Sequence, residues 1–348
     1  MITQKPLFYA GLLALIFVLP FLFPAYGVQL AAMWLMIIVA MTWDMTGGQM
    51  GYNSLGNIFF YGTGMYVAAL VFIGMSHDIG AYTDASGGGS FQFTDAQYFS
   101  GVFFGLIAAG LFCAVSAVVI GMLIFGLRGP YFAIGTLAVA IAAGELVSNW
   151  DWVGGGQGIA LPIYPGDIDV GKKFFYFLFA GLGVTIFIFL KWLYTTRFGA
   201  AINAIRDDEE KAEAMGIHTM WYKLTTWAIS AFFVGIAGGL SAFQLIHFEP
   251  LESAYQTINL GIFMVVCVLL GGKGTLWGPV IGAIAFHLFK EVTWAYLLGW
   301  QWVALGGLIV VTVVYFQDGF LGWVKQQKPE WFGVRVDNGS TENAGTAK

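Results

Sequence analysis

Three carboxyls, Asp44, Glu145 and Glu291, lie within or at the ends of long apolar runs. A charge held at the centre of a bilayer costs about 2.5–3.5 kcal/mol or more, so their positions matter. Each stands within a turn or two of the end of its run, and snorkelling or packing at a helix end explains them more simply than a proton or ion relay. His287 precedes Glu291 by one helical turn, and a packed histidine paired with that glutamate is the simpler reading there. A glycine-spaced stretch, Gly51 to Gly64, holds Asn53, Ser54, Asn57 and Thr63. Two readings are open: a packing interface in which small residues admit a neighbouring helix and polar ones bond across it, or a broken helix lining a solute path, its freed backbone N–H groups turned to a carboxylate.

Two further motifs carry charge outside such runs. Gly271-Gly272-Lys273-Gly274-Thr275 looks like a phosphate loop, but Gly274 rather than Ser or Thr follows the lysine, and no nucleotide fold follows. A tight turn between two helices with one lysine is expected instead, and ATP hydrolysis by this chain is not. Residues 199–216 form the longest charged stretch. Asp207 with Glu210 three residues on predicts a capping box, Gly216 a left-handed stop, and the span between them a short surface helix over about 208–215. A turn or two at 200–206 before it presents Ile202 and Ile205. Asp207, Asp208, Glu209 and Glu210 read equally as a solvated face or as a docking element for a partner; a metal site is a poor fit, because neighbours on a helix point different ways.

The elements that must position these residues follow from composition. Of 348 residues 58% are hydrophobic, 17% aromatic and only 10% charged, with a mean hydropathy of +0.76. Soluble chains carry about 25% charged residues. A net charge of −5 with 15 Lys and Arg excludes a basic nucleic-acid surface. Cys113 and Cys267, each in an apolar run, are small core residues rather than a disulfide framework. What remains is an all-α, multi-pass membrane protein.

A spanning helix needs roughly 20 apolar residues. Ten segments are expected, at about 7–24, 28–46, 50–75, 99–126, 130–149, 173–194, 219–247, 257–271, 275–297 and 301–316. The eighth is short, and the third and ninth start in glycine-rich polar stretches, which suits broken or re-entrant helices. Lys5, Arg128, Lys191, Arg197, Arg206, Lys211, Lys223, Lys273 and the bases of the tail share one side, whereas Asp78, Asp84, Asp95, Asp151, Asp167, Asp169, Glu249 and Glu252 face the other against Lys172 and Lys173. By the positive-inside rule the basic side, with both termini, is cytoplasmic. The first run reads as a retained helix rather than a signal peptide, given Pro20, Pro24 and no small-x-small cleavage site. By parity, helices two to five and seven to ten run in opposite directions, an inverted repeat argued from topology alone. Outer loops are expected at 76–98, flexible, and at 150–172; the polar tail 325–348 is expected to be disordered.

Four motifs carry a resemblance over about residues 28–316. They are Gly48-Gln49-Met50-Gly51-Tyr52-Asn53-Ser54-Leu55-Gly56 continuing through Phe60, Gly62, Gly64 and Tyr66; Leu127-Arg128-Gly129-Pro130-Tyr131-Phe132-Ala133-Ile134-Gly135-Thr136-Leu137-Ala138, with the outer loop Gly154 to Ile159; Arg197-Phe198-Gly199 through Ala204 to Ile217; and Leu270 through Gly278-Pro279 to Ala283. With these the chain resembles the LivM family of permease subunits from branched-chain amino acid ABC importers. Tyr52 stands where that family usually has Gln, Asn57 where His is common, Met65 where Ala is usual and Asp44 where Asn is frequent.

The resemblance implies one transmembrane permease domain over 1–324, of the inverted-repeat, type II-like importer class, in a bacterial inner membrane. It implies a second related permease, two cytoplasmic ATPases that bind the ATP and Mg, and a periplasmic binding protein, with no cofactor or metal in this chain. A coupling helix is expected within 199–217, with Ala204, Ile205, Arg206, Asp207, Glu209, Ala212, Glu213, Met215 and Gly216 toward an ATPase: small Ala212 and Ala214 seated in its groove, and Arg206, Glu209 and Glu213 at the rim. A translocation path is expected along Asn53, Ser54, Gly56, Asn57, Gly62 and Thr136. Alternatives are a permease for urea or short amides in the same family, a secondary transporter or channel without an ATPase, and a structural membrane scaffold. A self-sufficient transporter would need ionisable groups at mid-membrane, and the carboxyls lie toward the ends.

Overall fold

In lipid, an apolar run satisfies its own backbone N–H and C=O groups only by folding as a helix. The computed structural model, which describes residues 5–84, 91–315, 319, 320 and 322, is built in that way. In chain order the helices are α1 (Lys5–Leu22), α2 (Gly27–Asp44), α3 (Asn57–Gly74), α4 (Ile79–Asp84), α5 (Asp95–Ile124), α6 (Pro130–Ser148), α7 (Ile168–Tyr194), α8 (Arg197–Asp207), α9 (Glu209–Ala214), α10 (Thr219–Leu245), α11 (Phe263–Gly271), α12 (Gly278–Tyr296) and α13 (Gln301–Tyr315).

Among the described residues seven helical stretches are long and apolar enough to cross a membrane: Pro24–Gln49, Asn57–Gly74, Asp95–Ile124, Pro130–Ser148, Ile168–Tyr194, Thr219–Leu245 and Pro250–Gly271. The other expected spans differ from these in physical character. Gly11–Leu22 and Gln301–Thr312 are shorter apolar helices, and α12 carries Lys290 and Glu291 in its second half. Of the two expected breaks one is present: the third span starts only at Asn57, because its glycine-rich start, residues 50–56, is irregular. The ninth is not broken, α12 running continuously from Gly278, and the eighth is interrupted instead, wide turns at Pro250–Ala254 and Thr257–Ile262 preceding α11.

The core is a set of close helix crossings made by small residues. A Cβ on Gly64 would overlap the Gly235 backbone and one on Gly238 the Tyr61 carbonyl, so α3 and α10 touch backbone to backbone. Gly105 likewise meets the Ala68 carbonyl, which brings in α5, and Gly282 meets the Cys267 carbonyl, which joins α12 to α11. Close approach of this kind supplies dispersion contacts that the bilayer does not. The contacts form two groups: α3 and α5 pack together on α10, with α6 laid against α3 and α5, while α11 and α12 pack together on α2, with α13 laid against α11 and α12. α7 touches both α2 and α10, and α2 also touches α10. Apolar side chains of α5 and α6, among them Leu123, Tyr131, Ile134 and Leu146, face outward.

At the end away from α8 and α9, two short strands, β1 (Ile159–Ala160) and β2 (His247–Phe248), pair antiparallel. The expected flexible loop 76–98 is instead largely fixed in its described part. Tyr82 on α4 is buried and its hydroxyl donates to the Ala160 carbonyl at 2.8 Å, the His77 ring meets Phe91 and Phe93 edge-on, and Thr94 with Gln97 forms a capping box at the start of α5. The run Ser86–Ser90 and the tail 325–348 lie outside the described residues.

Candidate functional site

At the end of α2 the chain does not stop but widens. Met45–Gln49 form a π turn, a geometry common at functional sites. Gly51, with φ of 84°, then redirects the backbone into the irregular stretch that ends at α3. Three connections converge here: residues 45–56, the α8–α9 element, and the turn between α11 and α12.

The turn is gripped from α2. Asp44, 1% exposed, accepts the Gly274 N–H on Oδ1 at 2.8 Å, and the Gln49 side-chain amide donates to the Gly274 carbonyl at 2.8 Å. Lys273 reaches Asn53 Oδ1 at 3.1 Å. Inside the turn, Thr275 Oγ1 donates to the Gly272 carbonyl and accepts from Gly278 N–H. The glycine-rich sequence is therefore a structural turn carrying one lysine, as expected. Burial of Lys273 lowers its ammonium below the ordinary lysine value, against the pull of Asp44.

The α8–α9 element is held by a second cluster. Lys223, at the start of α10, places Nζ 2.6 Å from Glu209 Oε1. The Tyr52 hydroxyl donates to Glu209 Oε2 at 2.5 Å, and Lys223 Nζ lies 3.3 Å from the same hydroxyl. The Lys223 and Glu209 side chains are only 5% and 14% exposed. Burial pushes the Glu209 carboxyl up, but the Lys223 ammonium and Tyr52 hydroxyl outweigh it and hold it below the ordinary glutamate value. Removing one partner of a buried pair costs about 3–5 kcal/mol, because the other charge is stranded. The Tyr52 ring packs edge-on against Phe125 and Phe132. By contrast Arg128 and Glu210, 3.5 Å apart with side chains 64% and 82% exposed, form a surface pair of little worth. A cavity of about 350 Å³, lined by Gly51, Tyr52, Asn53, Arg128, Arg206 and Glu210 among others, opens between these groups.

Several expectations for this element change. The helix breaks at Asp208, which caps α9 by accepting the Lys211 N–H; the expected box between Asp207 and Glu210 is absent, and Asp207 instead pairs with Arg206 at 3.0 Å. Ile202 and Ile205 are buried under α8 rather than presented. Ala212 is buried against the chain itself, Glu209 is the inward anchor just described, and Glu213 accepts from Thr219. Met215, 84% exposed, Ala214 and Gly216 face outward, Ala204 is half-buried, and Gly216 takes φ of 86° as the left-handed stop.

The expected path residues fall into two environments. Asn53 is exposed beside Lys273. Ser54 is fully buried; its hydroxyl caps the Gly56 N–H and its carbonyl accepts the Trp43 indole at 2.6 Å. The Asn57 amide points at Thr42 at 3.5 Å, while its Oδ1 is buried without a hydrogen-bond partner. Thr136 accepts the Leu55 N–H. Gly56 lies under Trp227 and Gly62 under the Tyr255 ring. His287 lies 3.9 Å from Glu291, a loose version of the expected pair. The sequence reading missed Lys223 and Gln49 as site residues, and noted Tyr52 only as a departure. A lysine placed four residues into an apolar helix was the available signal. No group of three or more His, Cys, Asp or Glu able to hold a metal occurs among the described residues.

Residues 27–314 match the family model described as the branched-chain amino acid transport system / permease component. The chain is 27% identical to the high-affinity branched-chain amino acid transport system permease protein LivM of Escherichia coli K12, over 98% of this chain and 79% of that protein. It is 25% identical to the probable branched-chain amino acid transport permease protein LivM of Methanocaldococcus jannaschii, over 62% of this chain and 68% of that one. A shorter likeness, 30% over 105 residues, joins it to the probable LivH permease of the same archaeon, covering 30% of this chain and 32% of that one. No solved structure matches the chain.

Proposed function

The chain belongs to the family of branched-chain amino acid transport permeases, and we propose that it is the subunit through which an ATP-driven importer carries branched-chain amino acids across the inner membrane. The observation that carries this is the family match over 27–314, which takes in every helix from α2 to α12 and nearly all of α13. It is a transport subunit and not an enzyme; the ATP and Mg are bound by partner ATPases. The urea or short-amide reading and the ATPase-free transporter are not favoured, since the relatives are named for branched-chain amino acids.

Ten crossings with both termini cytoplasmic are supported by the side of the basic residues: Arg128, Arg206, Lys211, Lys223 and Lys273 share the end that bears α8 and α9. The inverted repeat is supported by the exchange of contacts, because α3 and α5 stand to α10 as α11 and α12 stand to α2. The likeness to a LivH permease supports a second, related permease as partner. The α8–α9 element is the coupling element, offering Met215, Glu210 and Asp207 to an ATPase, and a periplasmic binding protein delivers solute at the opposite end. The path runs by Asn53, Ser54, Gly56, Asn57, Gly62 and Thr136, where the unpaired Asn57 Oδ1 offers an acceptor to an ammonium group.

The test is uptake of labelled leucine into proteoliposomes holding the complete importer, with ATP inside and binding protein outside. Uptake that needs both, and that unlabelled isoleucine but not urea competes away, is expected. Uptake driven by an ion gradient without ATP, or competed only by urea, would overturn the reading.

A further inference from the structure

Glu209 is the meeting point of three segments: α9, which it begins, the start of the next helix α10 through Lys223, and, from far away in sequence, the irregular stretch before α3 through Tyr52. We propose that Lys223 is a positioning residue for transport, and that the Lys223–Glu209–Tyr52 joint is the rigid link that carries movement of the coupling element into the entrance of α3. The proposal rests on the importer reading above.

The joint matters because of what surrounds it. α8 is anchored by buried Ile202 and Ile205, but the backbone is extended at Asp208, with φ of −164° and ψ of 105°, so α9 follows a break rather than a continuous helix. Past that break the element is held to the membrane domain by Glu209, by buried Ala212 and by the Glu213–Thr219 hydrogen bond. The other charged side chains of α9 point to water: Glu210 is 82% exposed and Lys211 85%. Of these attachments Glu209 alone reaches residues 50–56.

Tyr52 then connects forward. It is two residues from Ser54, whose carbonyl takes the Trp43 indole, and three from Leu55, whose N–H bonds to Thr136 on α6. A displacement of Glu209 is therefore delivered to the residues beside Asn57. Lys223 keeps the lever stiff: its ammonium lies 5.0 Å from the Tyr52 ring and 5.7 Å from that of Phe125, besides pairing with Glu209. A flexible or singly bonded contact at this place would absorb the movement. Two bonds to one buried carboxylate transmit it.

The test uses the complete importer in proteoliposomes, with Lys223→Met, Glu209→Gln, the two combined, and Tyr52→Phe. Each single charge variant is expected to lower the unfolding temperature and to cut uptake per ATP hydrolysed about tenfold, a usual size for coupling between sites, with ATP hydrolysis itself within about twofold of wild type. The combined variant leaves no stranded charge, so its unfolding temperature recovers while uptake per ATP stays low. Tyr52→Phe keeps the ring and the ion pair, and lowers uptake per ATP while lowering the unfolding temperature less than the single charge variants do. Wild-type uptake per ATP in either the combined variant or Tyr52→Phe overturns the proposal, the joint then being a stabilising contact only. Failure of the importer reading is read separately, from wild-type protein that takes up solute without hydrolysing ATP.

Discussion

Asp44 and Gly274, 230 positions apart, are joined by a 2.8 Å hydrogen bond from the Gly274 N–H to the Asp44 carboxylate. The bond fixes the α11–α12 turn to the end of α2, and Gly48 completes the fit: a Cβ there would overlap both the Asp44 carboxylate and the Gly274 backbone. A carboxylate placed one turn from the end of an apolar run thus serves to dock two helices that the sequence places far apart.

Asp44→Ala leaves the Gly274 N–H without its acceptor in a buried site, and a loss of about 1–3 kcal/mol of stability is expected. Asp44→Asn keeps Oδ1 as an acceptor and is expected to cost less than half as much. Thermal unfolding of the purified protein in detergent distinguishes them. Equal losses in the two variants would mean that the charge, not the hydrogen bond, is what the site uses.

Gly238→Ala inserts a methyl against the Tyr61 carbonyl, and backbone cannot step aside as a flexible side chain does. Separation of α3 from α10 should cost about 1–3 kcal/mol, the usual range for overpacking. Gly181→Ala is the control, because a Cβ there meets nothing within 4 Å. The measure is the fraction of protein that runs as a single species on size exclusion after mild heating; indifference to Gly238→Ala would remove the backbone contact from the account of this crossing.

The membrane helices were legible because hydropathy over a run of about 20 residues is a local property. Gly216 was legible for the same reason, since a left-handed stop depends on its own residue and its immediate neighbours. The N-cap falls one residue later than expected, because Asp207 and Asp208 compete for the same role and burial of Ile202 and Ile205 continues α8 through Asp207; with Lys211 three residues on, no reciprocal box forms. Lys223 and Tyr52 escaped because their importance lies in meeting Glu209, across 14 and 157 positions. Glycine content marks the irregular start of the third span but not the interruption in the eighth, because the wide turns from Pro250 onward lie in a stretch of ordinary composition.

The Glu209 carboxyl, held below its ordinary value of 4.5, makes a signed prediction. A carboxyl whose folded value is depressed contributes stability above its unfolded value, and that contribution is lost as pH falls through the folded value. The stability difference between wild type and Glu209→Gln should therefore be constant from neutral pH down to about 5 and shrink below the ordinary glutamate value of about 4.5. Chemical denaturation at a series of pH values measures it. A difference that grows on acidification would mean that Glu209 is protonated in the folded protein.

The end of α9 allows a direct test of the proposed coupling surface. Gly216 donates to the Glu213 carbonyl at 2.9 Å and Ile217 to that of Ala212 at 3.1 Å, the pair of bonds that closes a helix through a left-handed residue. A Cβ on Gly216 would meet nothing, so a substitution there acts through φ alone. Gly216→Val forces a β-branched residue to positive φ, at about 1–2 kcal/mol, while Gly216→Asn tolerates it far better. With Met215 exposed beside the stop and Ala212 turned inward, a cysteine at 215 should cross-link to an ATPase cysteine and one at 212 should not. Gly216→Val is expected to abolish the 215 cross-link and to uncouple uptake from ATP hydrolysis in a protein that still reaches the membrane, and Gly216→Asn to preserve both. Cross-linking at 212 instead, or full coupling in Gly216→Val, would make α9 a solvated connector and remove it from the proposed coupling role.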